Sequence, residues 1–169
     1  MIKSLDKMIE MRRRYFFGTI ISAIAYLFLV GIFYFGPQLT GTVINSTSSC
    51  EGTFNGTVER IIDGDTIAIV GCSKHIRLSL VNAPETYQTG YQEAKDFTAN
   101  LCQIGSTATI NQDDLQPYDA YGRIVALVYC QGRNLNSELL YNNLAIMEKD
   151  FCSKSEFAYD DWAVNYCFG

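Results

Sequence analysis

The sequence predicts an α+β fold: a five-stranded OB-type β-barrel with about three helices, preceded by one transmembrane helix. Two observations predict it. The first is a run of 22 uncharged residues near the N-terminus, at 15–36. The second is the order of the later elements, in which three short strand patterns precede a helix, two more strands and two further helices. Strands grouped first are typical of α+β folds, and a helix between the third and fourth of five strands fits a small OB-type barrel.

The uncharged run at 15–36 is long enough to span a bilayer core, which needs about 20 residues. Aromatic residues lie at both of its ends, as they do at membrane interfaces. A buried core helix is one alternative, although such helices are usually shorter and carry some polar residues. A cleaved signal peptide is another, although its apolar segment is typically about 7–15 residues long. We expect an uncleaved anchor.

The charges that flank this run predict its orientation. Residues 1–14 carry five basic and two acidic side chains, a net charge of +3, whereas the first charge after the run is Glu51. The positive-inside rule then places the N-terminus in the cytoplasm. We predict a single-pass cell-membrane protein with a cytoplasmic segment at 1–14, an anchor at 15–36, a polar linker at 37–52 and an extracytoplasmic domain at 53–169.

The part of the chain after the run is acidic. Residues 37–169 carry eight basic and 16 acidic side chains, a net charge of −8. Nucleic-acid affinity depends on Lys and Arg that neutralise phosphates. Any nucleic-acid site here must therefore be local, or a bound cation must offset the field.

All six cysteines follow the run: Cys50, Cys72, Cys102, Cys130, Cys152 and Cys167. An even number of cysteines on the outer side predicts disulfides. Buried free thiols are the alternative. A zinc site is disfavoured because the sequence has no C-x-x-C motif and its only histidine is His75.

One cysteine pairing is disfavoured by a helix predicted at 155–166. A capping box at 153–156 is expected to open this helix. If the helix ran unbroken, Cys152 and Cys167 would lie about 20 Å apart, whereas a disulfide needs Cα atoms within about 7 Å. These two cysteines pair only if the helix is shorter and the chain folds back.

The strand patterns begin after the linker. Runs rich in β-branched residues at 57–62 and 66–70 flank a turn at 63–65. The run 76–81 alternates, which places Arg77 on the face opposite the apolar side chains of that strand.

The remaining elements follow in order. Apolar spacings of three and four predict a helix at 91–102. Short strands are expected at 107–110 and 124–129. Asn136 is expected to cap the next helix, and the helix at 155–166 is the last.

Three charged side chains, Arg77, Glu85 and Arg123, supply groups that phosphodiester hydrolysis needs. Glu85 is a candidate to orient or deprotonate water. Arginines give paired hydrogen bonds to phosphate oxygens and keep their charge, and fixed charge near a developing charge is commonly the largest catalytic contribution. The structural alternative is an ordinary surface ion pair of Arg77 with Glu85, and an ordinary hairpin around Arg123.

From about Gly56 to Ala145 the sequence resembles the thermonuclease (staphylococcal nuclease-like) family. The motifs that carry the resemblance are IDGDT at 62–66, RLSLVNAPET at 77–86, YGR at 121–123 and LNSELL at 135–140. Each motif alone is weak. Their order along the chain, with a compatible helix between the second and third, makes the resemblance strong.

The resemblance implies cleavage of DNA, RNA or both with calcium (Ca2+) as cofactor, which leaves 3′-phosphate ends. It implies that Arg77, Glu85 and Arg123 are catalytic and that Tyr121 contacts the phosphate of the nucleotide. The implied metal ligands are Asp65, Asn82 and the backbone carbonyl of Ala83. We expect single-stranded DNA or RNA as substrate, the membrane as a partner through the anchor, and a monomer.

The resemblance also implies a disulfide. Cys102 ends the helix that packs on the barrel, and Cys130 ends the strand after Arg123. In this family both positions face the region between helix and sheet. Cys102–Cys130 is therefore the pairing that we favour.

Three departures from the family pattern concern affinity. Asn82 stands where an aspartate ligand is expected, and calcium affinity depends on the charge of the ligands. The stretch 87–90 has no lysine, and 146–151 lacks paired tyrosines, although Phe151 could stack on a base. We expect weak calcium binding, weak substrate affinity and strong salt sensitivity.

Two other functions remain open at this level. One is a non-catalytic binding module on the nuclease fold, which Asn82 and the acidic charge favour. The other is a structural surface domain that uses the barrel only as a scaffold. The presence of Arg77, Glu85 and Arg123 favours the enzyme.

Overall fold

The computed structural model describes residues 50–169. The strands of this part are β1 (Thr53–Ile61), β2 (Thr66–Ile69), β3 (Ile76–Leu78), β4 (Val81–Asn82), β5 (Thr107–Gln112), β6 (Ile124–Cys130), β7 (Arg133–Asn134) and β8 (Ile146–Met147). The helices are α1 (Tyr91–Leu101), α2 (Leu135–Tyr141) and α3 (Val164–Phe168), with 3-10 turns at Lys149–Phe151 and Glu156–Tyr159.

Five strands close into a barrel. Antiparallel pairing joins them in the order β3-β2-β1-β5-β6, and the parallel pairing of β3 with β6 completes the ring. Alternate side chains of a strand point into such a barrel, and Ile67, Ile76 and Ile110 are fully buried there. Burying each of these side chains stabilises the fold by about 1.5–3 kcal/mol. The predicted five-stranded OB-type barrel is confirmed.

The predicted strand 76–81 is interrupted. Leu80 has a φ of 65°, a conformation that costs a branched residue free energy and breaks the ladder. β3 therefore ends at Leu78. The chain then forms β4, which pairs with β8 outside the barrel, Val81 opposite Met147 and Asn82 opposite Ile146. This small sheet brings residues distant in sequence beside the end of β3.

Helix α1 packs closely over the turn between β1 and β2. The Thr98 hydroxyl donates a 2.6 Å hydrogen bond to the Gly64 carbonyl. A Cβ at Gly64 would lie 2.7 Å from the Cβ of Ala83 and 2.8 Å from that of Ala94. Because real Cβ atoms do not approach so closely, glycine is required for this packing.

The cap of α2 differs from the prediction. Asn134, not Asn136, is the N-cap, and its side chain accepts from the Ser137 N–H. Asn136 is fully buried instead. Its amide accepts from the Val128 N–H and donates to the carbonyl of Ser79, which fastens α2 to the barrel.

The predicted helix at 155–166 is wrong. This stretch contains the 3-10 turn Glu156–Tyr159, further turns and the start of α3. Ser155 is buried, where its hydroxyl lies 3.1 Å from the Ser79 hydroxyl, and the Glu156 carboxylate accepts from the Asp114 N–H. These contacts with other parts of the chain compete with a continuous helix.

The shorter helix lets the C-terminal segment fold back. Cys152 and Cys167 form a disulfide with Cα atoms 5.6 Å apart. The other disulfides are Cys50–Cys72 and Cys102–Cys130. The favoured Cys102–Cys130 pairing is confirmed, and all six cysteines are paired.

The predicted cytoplasmic segment at 1–14 and the anchor at 15–36 lie outside the described residues. Within residues 50–169, every helix is too short or too polar to cross a bilayer.

Candidate active site

The site is built around a buried pair, Asp65 and Arg77. Asp65 ends the turn before β2, and Arg77 lies in β3, which pairs with β2 so that Thr66 is opposite Arg77. The Arg77 Nε lies 3.4 Å from Asp65 Oδ1, and both side chains are about nine-tenths buried. The pairing of two adjacent strands therefore fixes an opposite-charge pair at one edge of the barrel.

The nitrogen atoms of Arg77 all face oxygen acceptors. Nη1 donates to the carbonyls of Leu78, at 2.9 Å, and Val81. Nη2 donates to Asn82 Oδ1 at 3.0 Å and lies 3.6 Å from Glu148 Oε2. These contacts hold the guanidinium in one orientation.

Burial raises the pKa of Asp65 from 3.8 to about 6, although the nearby Arg77 charge opposes the shift. The Ala83 N–H and the Thr66 hydroxyl also donate to this carboxylate, at 2.6 and 3.1 Å, and both bonds favour the ionised form. Desolvation outweighs them. A fraction of Asp65 is therefore protonated at mildly acidic pH.

Arg123 is held by a carboxylate from its own hairpin. Asp119 accepts from the Arg123 Nε and from the backbone N–H groups of Tyr121 and Arg123, the last two at 2.9 Å. Burial alone would raise the pKa of Asp119, but these hydrogen bonds and the Arg123 charge hold it below its ordinary value. Arg123 Nη1 donates to the Thr66 hydroxyl at 3.2 Å, and no acceptor among residues 50–169 contacts Nη2.

Both arginines line one pocket of about 150 Å³. Tyr121, Phe151 and Glu148 also line it. Tyr121 is 86% exposed, and its ring centre lies 5.5 Å from the Arg123 guanidinium. The pocket thus combines two fixed positive charges with two aromatic rings, which suits a phosphate joined to a base.

Glu85 lies apart from these contacts. Its backbone N–H donates to the Gln88 side chain at 2.8 Å, and the side chain is exposed. Within the described part of the chain, no group donates to its carboxylate. The structure brings Arg77, Arg123 and Tyr121 together, and the catalytic role of Glu85 stays a prediction.

The predicted calcium ligands Asp65, Asn82 and Ala83 are neighbours. Asp65 Oδ1 and Asn82 Oδ1 face the same guanidinium, and the Ala83 N–H donates to Asp65 Oδ2. Carboxylate, amide and carbonyl oxygens are the donors that calcium prefers, so the set fits it chemically. Only one of the three is charged, and residues 50–169 contain no cluster of three His, Cys, Asp or Glu side chains suited to a metal. These three residues would therefore bind calcium weakly.

The sequence reasoning missed Glu148 and the role of Asp119. Asp119 stands four residues before Arg123 across a turn, a spacing from which the ion pair could have been proposed. Glu148 follows β8, and its position depends on the pairing of two strands of two residues each. The sequence carries no recognisable signal for so short a pairing.

Comparison with known proteins gives one family. The family model described as staphylococcal nuclease homologue matches residues 75–163. Endonuclease YhcR of Bacillus subtilis (strain 168) is 34% identical over 113 residues, which cover 57% of this chain and 9% of that protein.

Two shorter relatives show similar identity. An uncharacterized endonuclease of Escherichia coli is 38% identical over 85 residues, covering 48% of this chain and 53% of that protein. Endonuclease YncB of Bacillus subtilis (strain 168) is 33% identical over 99 residues, which cover 54% of this chain and 46% of that protein. The chain thus spans about half the length of these two relatives, and far less of YhcR.

The matched residues 75–163 make up more than half of the chain. They include both pocket arginines: Arg77 in strand β3, and Arg123 directly before strand β6. The chain belongs to the family of staphylococcal nuclease homologues.

Proposed function

We propose that the chain is an endonuclease, a hydrolase that cleaves phosphodiester bonds in single-stranded DNA, RNA or both. The observation that carries the proposal is the convergence of Arg77 and Arg123 on one pocket beside Tyr121. The endonuclease names of the relatives support the same activity.

The two arginines have different parts in this proposal. Arg123 retains an Nη2 group without an acceptor in the described chain, so it binds a phosphate oxygen directly. Arg77 is about nine-tenths buried and held by carbonyls of the chain. It supplies a fixed positive charge that needs little reorganisation as negative charge develops on the phosphoryl group.

Glu85 is proposed to orient or deprotonate the attacking water. Its exposed carboxylate is free to approach a bound substrate, because no hydrogen bond within residues 50–169 holds it elsewhere. Apo geometry of this kind is common for catalytic groups, whose contacts tighten only when substrate is bound.

Calcium is the proposed cofactor, held by Asp65, Asn82 and the carbonyl of Ala83. It would supply positive charge toward the phosphate. This charge matters because residues 37–169 carry a net −8 and repel a polyanion. A single charged ligand gives weak affinity.

The nuclease domain is proposed to lie on the outer side of the cell membrane. All six cysteines of residues 50–169 are paired in disulfides, which persist in oxidising compartments. The 22-residue uncharged run at 15–36 and the basic segment before it support the same topology.

The full chain, purified in detergent, should cleave single-stranded DNA or RNA when calcium is present and stop when a chelator is added. Glu85→Gln and Arg123→Lys should each reduce kcat by about 100-fold or more. Glu93→Gln, which removes an exposed carboxylate on α1, is the matched control and should cleave normally. Cleavage that persists in chelator, or in Glu85→Gln, contradicts the proposal as stated.

A non-catalytic binding module is the second candidate. The observation that favours it is that Asn82 Oδ1, the oxygen assigned to calcium, carries no negative charge and is shared with the Arg77 guanidinium. In that case the full chain retains a labelled single strand in a binding assay without cutting it, with or without calcium.

A further inference from the structure

Glu148 places a carboxylate inside the pocket of the two arginines. Its Oε2 lies 3.6 Å from the Arg77 Nη2, and its side chain is 39% exposed. The backbone holds it there, since the Glu148 N–H donates to the Leu80 carbonyl at 2.8 Å and its carbonyl accepts from the Phe151 N–H. A negative group therefore faces the same space as the phosphate-binding positive groups.

The contact with Glu148 is the weakest that Arg77 makes. Its other contacts, to Asp65, Asn82 and two backbone carbonyls, are shorter and lie in the buried part of the site. At 3.6 Å the contact between buried Arg77 and the partly exposed carboxylate of Glu148 is too long for a hydrogen bond. A phosphate that approaches Arg77 from the pocket therefore competes with Glu148 and not with the buried acceptors.

We propose that Glu148 is a specificity-determining residue that favours an internal phosphodiester over a terminal phosphomonoester. The inference rests on the proposed nuclease function and deepens it. A diester carries one negative charge, whereas a monoester carries two well above its second pKa of about 6. Coulomb repulsion is proportional to charge, so the fixed carboxylate of Glu148 opposes the monoester about twice as strongly.

The consequence concerns where the enzyme cuts and how it releases product. A phosphodiester linkage is accepted at this pocket more readily than a phosphomonoester at the end of a strand. A product end that carries a phosphate gains a charge on hydrolysis and is repelled by Glu148. The residue lowers affinity for the substrate slightly and lowers affinity for such a product more.

The test compares two ligands that differ by one charge, thymidine 3′-phosphate and its methyl ester. Their affinities for the full chain are measured by calorimetry at pH 8, at constant low salt and with calcium present. One unit-charge contact at about 4 Å in water corresponds to about fivefold in affinity. Glu148→Gln should therefore shift the ratio of the two affinities toward the monoester by about fivefold, with both ligands bound more tightly.

Two further variants serve as controls. Glu148→Asp keeps the charge and should retain most of the wild-type discrimination. Glu59→Gln removes an exposed carboxylate on β1, outside the residues that line the pocket, and should leave the ratio unchanged. Thermal unfolding of each variant checks that the fold persists.

An unchanged ratio in Glu148→Gln overturns the inference, as does an equal shift in Glu59→Gln, which would mean that only net charge matters. Failure of both ligands to bind Glu148→Gln overturns it too, because removal of the carboxylate should expose Arg77. Binding needs no turnover, so the proposed function is judged separately. A shifted ratio in a chain that does not cleave would reject the nuclease and keep the role of Glu148.

Discussion

The Arg77 guanidinium donates to the Asn82 side chain, with 3.0 Å between Nη2 and Oδ1. The pair joins a predicted catalytic residue to a predicted calcium ligand through one bond. An amide oxygen has a second lone pair, so it can accept from Arg77 and still bind a cation, but without a negative charge. The departure from the family pattern at position 82 would therefore weaken calcium binding at the proposed metal site, and it leaves the position of Arg77 intact.

Asn82→Asp should tighten calcium binding. The substitution adds a second carboxylate to a set that has only Asp65, and calcium affinity rises with the charge of its ligands. We expect roughly tenfold tighter binding, measured by calorimetry on the full chain, and a lower calcium concentration for half-maximal cleavage.

Asn100→Asp is the control for this change. It adds the same charge at an exposed position of α1, away from Asp65 and Arg77. Equal tightening in both variants, or none in Asn82→Asp, would show that position 82 does not limit calcium affinity.

Asp119→Asn should reduce activity by releasing Arg123. The Asp119 carboxylate accepts from the Arg123 Nε and from two backbone N–H groups of the hairpin. A neutral amide keeps part of this geometry but loses the charge that orients the guanidinium. We expect kcat/KM to fall by about tenfold, because hydrogen bonds to charged groups contribute about 1.5–3 kcal/mol.

A double-mutant cycle separates this orienting role from a direct one. If Asp119 acts through Arg123, Asp119→Asn should have little further effect in the Arg123→Lys background. Additive losses in kcat/KM would instead indicate that Asp119 contacts the substrate itself.

The sequence predicted the barrel because each strand has a local signature. The alternation around Arg77 and the turn at 63–65 are short-range patterns, and the barrel follows from the order of the strands. The C-terminal segment could not be predicted in the same way. The Ser155 hydroxyl contacts the Ser79 hydroxyl, and the Glu156 carboxylate accepts a hydrogen bond from the Asp114 N–H. These long-range contacts outweighed the capping box, so the continuous helix did not form.

The site was predictable to a similar extent. Arg77, Arg123 and Tyr121 lie in motifs and do share a pocket. Glu148 enters the same pocket only because β8 pairs with β4, a contact across more than 60 residues that has no local pattern. The sequence therefore indicated the two arginines of the pocket and missed the carboxylate of Glu148.

Asp65 should make the stability of the fold depend on pH. Its pKa is about 6 in the folded chain, against 3.8 ordinarily, so between these values the folded state holds more protons than the unfolded state. Stability from this group is then present below about pH 4 and is lost as the pH rises through about 6. The loss is about 2 kcal/mol between pH 4 and pH 6 and about 3 kcal/mol in full, at about 1.4 kcal/mol for each pKa unit.

Comparison with Asp65→Asn isolates this effect. The unfolding free energy of the wild type, measured in chelator by urea titration, should fall relative to that of the variant by about 2 kcal/mol from pH 4 to pH 7. The pH slope is the readout, since the variant also loses its ion pair with Arg77. A constant difference across this range would mean that Asp65 titrates at its ordinary pKa.

The disulfide Cys152–Cys167 should stabilise the fold and hold one wall of the pocket. It closes a loop with a sequence separation of 15, for which loop-closure entropy gives about 3 kcal/mol. Phe151 and Glu148 lie just before Cys152, so loss of the bond frees the segment that carries them. Replacing both cysteines with serine should lower the unfolding free energy by about 3 kcal/mol and raise KM for a single-stranded oligonucleotide more than it lowers kcat.

Replacing Cys50 and Cys72 is the matched control, because that disulfide has a similar separation of 22 and neither cysteine lines the pocket. If both double variants raised KM equally, the effect would reflect general instability and not the position of Phe151 and Glu148.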